Sequence, residues 1–273
     1  MRIFTFLFFS NFYLLTAFSF SVRVTSPIYS PISENVQGIT QTENYWFISN
    51  TDHIYQIPKR KKLSPRNFYP PMTANYKRVS IPKELRKLGY NHFGGVSIFK
   101  NWVIVALERI SPMKILFFNT HTLELEKTYD VPKEFESLSW VAGGDQFIYF
   151  SENRLSDKNP LHILDVETGD LTKVLVSEKI TKIQGGTYSF SKNKLLLASD
   201  AGTWSGGVFQ IDLKTFEVKK EIQIRYNRGF PAYQEIEGLT LNKKGDPSIV
   251  TVLMLDNNLV EDSMQFIEVR NFW

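Results

Sequence analysis

The chain has 273 residues, with 32 Lys and Arg against 28 Asp and Glu and no cysteine. A net charge of +4 is too small an excess to mark a nucleic-acid binder. A hydrophobic share of 42% describes an ordinary globular chain, and the lack of cysteine excludes disulfides, a thiol nucleophile and Cys-ligated zinc.

The first segment, "MRIFTFLFFSNFYLLTAFSFSVRV", carries Arg2 and then no charge until Arg23. A basic start, an apolar stretch and small residues at Ala17, Ser19 and Ser21 read as a secretory signal peptide over residues 1–21, with an uncleaved N-terminal membrane anchor as the alternative. Residues 22–273 are then one mature domain, periplasmic or extracellular. It opens on "FSVRVTSPI", which reads as a spare strand.

Five units follow. "VQGIT", ending at Thr40, leads to the strands "YWFISN" and "HIYQIP". A basic, Pro-containing insertion at about 58–90 comes next, with ten Lys and Arg over residues 59–87 offset only by Glu84. It is expected to be a solvated loop, with an anionic surface or polymer as the partner it would suit; "PKELRKLGY" within it has room for one or two helical turns. "HFGGVS", "FESLS", "IQGGTYS" and "IEGLT" open the other four units. Each leads to an apolar strand: "WVIVALE", "QFIYFSE", "KLLLASD" and "SIVTVLMLD". Third strands follow, and in the second, third and fourth units a polar turn leads to a fourth. The last unit runs out after three strands.

With Gln37, Gly94, Glu136, Gln184 and Glu237 as anchors, the units repeat at 57, 42, 48 and 53 residues. That is the period of four-stranded propeller blades. The predicted fold is an all-β, five-bladed β-propeller, with the N-terminal strand completing the last blade so that no edge is left open. A sixth blade hidden in the 57-residue interval is the alternative within that fold, and a β-sandwich or open barrel the alternative to it.

In a propeller the first strand of each blade lines the central channel, and its start meets the end of the second strand on one face. The starts bring Gln37, His92, Glu136, Gln184, Glu235 and Glu237 to that mouth; the ends bring Asn50, Glu108, Glu152, Asp200 and Asp256. Converging carboxylates repel, so a cation, a basic side chain or a shared proton must neutralise them. Oxygen donors without sulfur suit Ca²⁺, and Glu136 and Glu237 are the expected metal ligands. The remaining mouth residues form a polar ligand site, with Trp204 and Tyr233 offering aromatic faces beside it. Solvated strand ends around ordered water are the plainer reading of the same residues.

The motifs "EIEGLTL", "QGIT", "HFGGVS" and "ESLS" resemble inner strands of secreted β-propellers, the broad class of calcium-dependent lactonases, phytase-like esterases, strictosidine-synthase-like proteins and calcium-activated nucleotidases. The resemblance implies a channel-mouth calcium held by acids and amides, with Glu136 and Glu237 at positions where those families begin inner strands with an acid. Two functions follow as expectations. One is a binding or interaction module taking a small molecule or protein at the channel mouth. The other is a Ca²⁺-dependent hydrolase of an ester, lactone or phosphate, with His92, Glu108 or Glu235 as general base. A monomer is expected, with no nucleic-acid partner.

Overall fold

The computed structural model describes residues 21–25, 28–29, 35–59, 76–108, 110–200, 205–225, 232–242, 246–258 and 262–270. In chain order, β1 (Ser21–Val24) and β2 (Ile28–Tyr29) come first and find their partner last. The first blade is β3 (Val36–Gln41), β4 (Tyr45–Asn50), β5 (His53–Pro58) and β6 (Lys77–Ser80). A five-residue exposed helix, α1 (Lys83–Lys87), precedes the second blade of β7 (Phe93–Phe99), β8 (Trp102–Leu107), β9 (Lys114–Asn119) and β10 (Leu125–Asp130). The third blade is β11 (Trp140–Gly143), β12 (Phe147–Ser151), β14 (Leu161–Asp165) and β15 (Leu171–Val174). The short strands β13 (Arg154–Leu155) and β16 (Ile180–Thr181) pair with each other beside it. The fourth is β17 (Ile183–Ser189), β18 (Lys194–Ser199), β19 (Ser205–Asp212) and β20 (Val218–Arg225). The fifth joins β21 (Ala232–Asn242), β22 (Asp246–Asn258) and β23 (Ser263–Arg270) to β1.

The ring is five-bladed, and the N-terminal strand completes the last blade: Val22 pairs with Val269 and Val24 with Ile267, all antiparallel. Thr25 extends the seam, its N–H donating to Phe266 O and its hydroxyl accepting from Phe266 N–H, both at 3.0 Å. Among the described residues the long first interval holds no sixth blade. Its second half supplies β6, the missing fourth strand of the first blade, paired through His53–Ser80 to Gln56–Lys77.

Burial follows the distance from the axis. The inner strand β7 (FGGVSIF) and its neighbour β8 (WVIVAL) are almost wholly buried, whereas the outermost β10 (LEKTYD) is exposed along nearly its whole length. A blade is covered on both faces by its neighbours, so its inner strands read as continuous apolar runs and only the outer strand shows polar character. The core is accordingly five clusters, one between each pair of adjacent blades. Phe47 and Ile54 meet Phe93 and Val105 between the first and second; Phe99 and Ile104 meet Leu138 and Phe150 between the second and third. Trp140 meets Leu197, Leu196 meets Val252, and Phe266 meets Ile39 around the rest of the ring. Each buried Phe or Leu contributes about 1.5–3 kcal/mol, so every interface holds the ring shut.

Candidate functional site: the acidic mouth of the channel

The inner strands are pinned together by a belt of small residues. A Cβ added to Gly38 would lie 3.0 Å from the Gly95 Cα, one on Gly185 2.7 Å from the Gly238 Cα, and one on Gly238 3.2 Å from the Gly38 Cα. Gly95 would meet both Ser139 O at 3.1 Å and, across the axis, Gln184 O at 2.8 Å. Backbone therefore touches backbone through the middle of the ring, and the channel is two separate mouths rather than one bore.

Just before the belt, four inner strands carry a β-bulge against their neighbours, between Val36 and Gly38, Phe93 and Val96, Ile183 and Gly185, and Ile236 and Gly238. The extra residues are Gln37, Gln184 and Glu237, and the Gly94–Gly95 pair in the second blade. A bulge bends the strand and re-aims a side chain, which is how Glu237 comes to point inward at 2% exposure. Glu235 is hydrogen-bonded to it, and Asp200 and Glu108 lie close enough to act on its charge. Glu108 reaches inward over Gly94, where an added Cβ would stand 2.6 Å from its Oε1. Burial first, and then these three acids, hold the Glu237 carboxyl well above the ordinary carboxylate range. Lys182 sits at the rim, its Nζ 3.8 Å from Asp200 Oδ2, with most of its side chain in solvent and that of Asp200 buried.

The remaining expected site residues divide. His92 is buried, its Nε2 3.1 Å from Gln37 Oε1, so both stand at the mouth as one hydrogen-bonded pair. Gln184 is half-buried beside the belt. Asn50 caps a turn: its Oδ1 accepts from the N–H groups of Asp52 and His53 at 3.1 and 2.8 Å. Asp256 pairs with Gln234, beyond Glu235, and its buried Oδ1 has no partner among the described residues. Tyr233 lies on β21, but its side chain, like the whole of Trp204, falls outside the described part.

Glu136 corrects the sequence register. It is exposed and precedes β11 by four positions, and Glu152 Oε1 accepts its N–H at 2.9 Å. The place that Gly38, Gly95, Gly185 and Gly238 occupy in the other blades belongs to Trp140, which pairs with Ser151 as Gly38 does with Ser49 and whose Cα an added Cβ on Gly95 would approach to 3.4 Å. The counterpart of Glu237 in the third blade is therefore Ser139, and Leu138 fills the core as Val36 and Ile236 do. Glu136 corresponds instead to Gln234. The motif "FESLS" lacks the glycine that marks the belt. Among the described residues no three His, Asp or Glu side chains are arranged to hold a metal ion.

No protein-family model matches the chain, and no curated protein matches its sequence. Solved structures do match its fold. The crystal structure of Myxococcus xanthus glutaminyl cyclase superposes with a TM-score of 0.57 at 10% identity, covering 91% of this chain and 96% of that one. A nidogen/laminin complex gives a TM-score of 0.52 at 9% identity, covering 80% of this chain and 90% of that one. At such identities the likeness is one of architecture, and with the blade order and ring closure it makes this chain a five-bladed β-propeller.

Proposed function

We propose that this is an exported binding propeller that receives a positively charged group at its acidic mouth. The observation that carries the reading is Glu237, buried against Glu235, Asp200 and Glu108 with its carboxyl pushed up. A carboxyl whose pKa is raised by burial among other acids gains from an incoming positive charge. An ammonium or guanidinium entering there would ionise Glu237 and release its proton, so affinity rises with pH. Such a group comes from a small molecule or from a side chain or chain end of a partner protein. It suits this site better than Ca²⁺, which takes six to eight oxygens around one point; a calcium site would require the four carboxylates to reorient. Export rests on the basic, then apolar, residues 1–21. A propeller of this kind serves a named enzyme in one structural neighbour and a protein complex in the other, so the fold alone does not choose a role.

The test is thermal melting of the chain with calcium chloride, arginine amide and spermidine, each against EDTA. Stabilisation by the organic cations that increases from pH 6 to pH 8 and is lost in Glu237→Gln supports the reading, with Glu136→Gln behaving as wild type. Stabilisation by calcium alone overturns the reading of an organic cation at this mouth. No shift with any of the three overturns the cation site.

A hydrolase is the second reading, favoured by one feature: Glu237 and Glu235 share a hydrogen bond in an environment that raises one of them. Two carboxyls that share a hydrogen bond, one of them with its pKa raised, are an arrangement that general acid–base hydrolysis of an ester, lactone or phosphate uses. Ester turnover that Glu235→Gln and Glu237→Gln each abolish would establish it.

A further inference from the structure

The far mouth of the channel, behind the glycine belt, is a second cavity of about 500 Å³. It lies where the inner strands end, on the face opposite Glu237, and shares no lining residue with the acidic mouth. Its volume is that of a small-molecule site.

Its chemistry differs from that of the first mouth. Thr40, Ser97, Thr187 and Thr240 stand at corresponding positions of four inner strands and line a ring of buried hydroxyls. Beside them Gln41 is held by one end only: its Nε2 donates to Leu241 O at 2.7 Å, while its Oε1 is buried without a partner among the described residues. A buried amide oxygen left unpaired is costly. The wall is aromatic. Tyr188 is fixed by its hydroxyl, 3.0 Å from Asn193 Oδ1, and by stacking on Tyr149. Phe190 meets it edge-on at 4.9 Å between centroids and leaves 49% of its surface to solvent at the rim. Two charged residues line the rim, Glu43 and Lys100, the latter bound to Glu167 at 2.9 Å, so the cavity makes no demand for an anion.

Hydroxyls on the floor, with an exposed ring on one side, suit a ligand that carries several hydroxyls and is apolar on one face. We propose that the far mouth is a carbohydrate-binding site for one or two neutral sugar rings, with Phe190 stacking on the C–H face and the Thr187 and Thr240 hydroxyls meeting sugar hydroxyls. A flat aromatic would use Phe190 but make no use of the hydroxyls.

Saturation-transfer NMR on the full chain tests this with glucose, galactose, N-acetylglucosamine and cellobiose, and with phenol as the flat comparison. Contact with at least one sugar is expected, strongest at its ring C–H protons. Phe190→Ala, an exposed substitution that leaves the fold intact, should weaken it by about tenfold in Kd. Thr187→Val should weaken it as well, and Glu237→Gln should leave it unchanged, so this site and the acidic mouth stand or fall separately. Contact from phenol alone, from none of the four sugars, or undiminished in both Phe190→Ala and Thr187→Val overturns the proposal.

Discussion

Two buried titratable side chains pull stability in opposite directions with pH. Glu237 is raised from 4.5 by burial and by its acidic neighbours. Above that pH the unfolded chain sheds a proton that the folded chain keeps, so Glu237 costs increasing stability as pH rises until its own raised pKa is passed. His162 is buried against Phe135 and Phe150, with ring centroids at 4.6 and 5.5 Å. Burial chiefly lowers its pKa from 6.5 to about 4. As pH falls through that window the unfolded chain gains a proton the folded chain refuses, so stability is lost between about 6.5 and 4. Urea melts across pH 4–8 should therefore show Glu237→Gln more stable than wild type at pH 7, with the difference closing toward pH 4. His162→Leu should flatten the acid limb. A Glu237→Gln chain with an unchanged pH slope would show that the carboxyl is not buried in solution.

The inner strand is the element on which both mouths depend. Its glycine admits the neighbouring backbone, its bulge aims one residue at the acidic mouth, and the residue two positions beyond the belt faces the far mouth. Gly185→Ala places a methyl 2.7 Å from the Gly238 Cα, and backbone on both sides leaves nothing to yield. Overpacking of that kind costs about 1–3 kcal/mol, read as a lower urea midpoint with the m-value unchanged. Gly169→Ala is the comparison. Nothing lies within 4 Å of its new methyl, and only its φ of +80° opposes the change, so it should cost about 1 kcal/mol. Equal losses at the two positions would mean that the belt is looser than its contacts indicate.

A ring of blades is only as stable as its seam. Five interblade clusters share the apolar burial, and the fifth blade owes its outer strands to β1 and β2 on β23. Removing residues 1–29 strips Thr25 from Phe266 and bares the β23 edge, a template for pairing with another chain. The truncated protein is expected to melt several degrees lower, about 2–4 °C for each kcal/mol lost, and to elute partly as oligomers on size exclusion. An unchanged melt and a monomeric profile would show that the first and fifth blades hold each other without the closing strand.

Much of this was legible in one dimension. The repeat, the hairpin punctuation and the spare N-terminal strand define five blades and the way they close, because blade period and strand alternation are local properties of the chain. Glu235, Glu237, Asp200, Glu108 and His92 were placed at one mouth because strand direction alone decides which residues share a face. The register of the third blade was not legible. "FESLS" has no belt glycine, and only the pairing of Trp140 with Ser151 and its contact with Gly95 show that Trp140 takes that place and Leu138 the core. The burial of Glu237 was not legible either, since a bulge is one unpaired residue in a ladder whose partner strand lies elsewhere in the sequence. Nor was the far cavity: its hydroxyls and Gln41 belong to separate blades, and their sequence motif repeats for reasons of strand geometry alone. The sequence by itself determined how many blades there are and which end of each strand faces which mouth. Only the tertiary structure decided which side chains lose their water, because desolvation depends on neighbours that the ring, and not the chain, brings together.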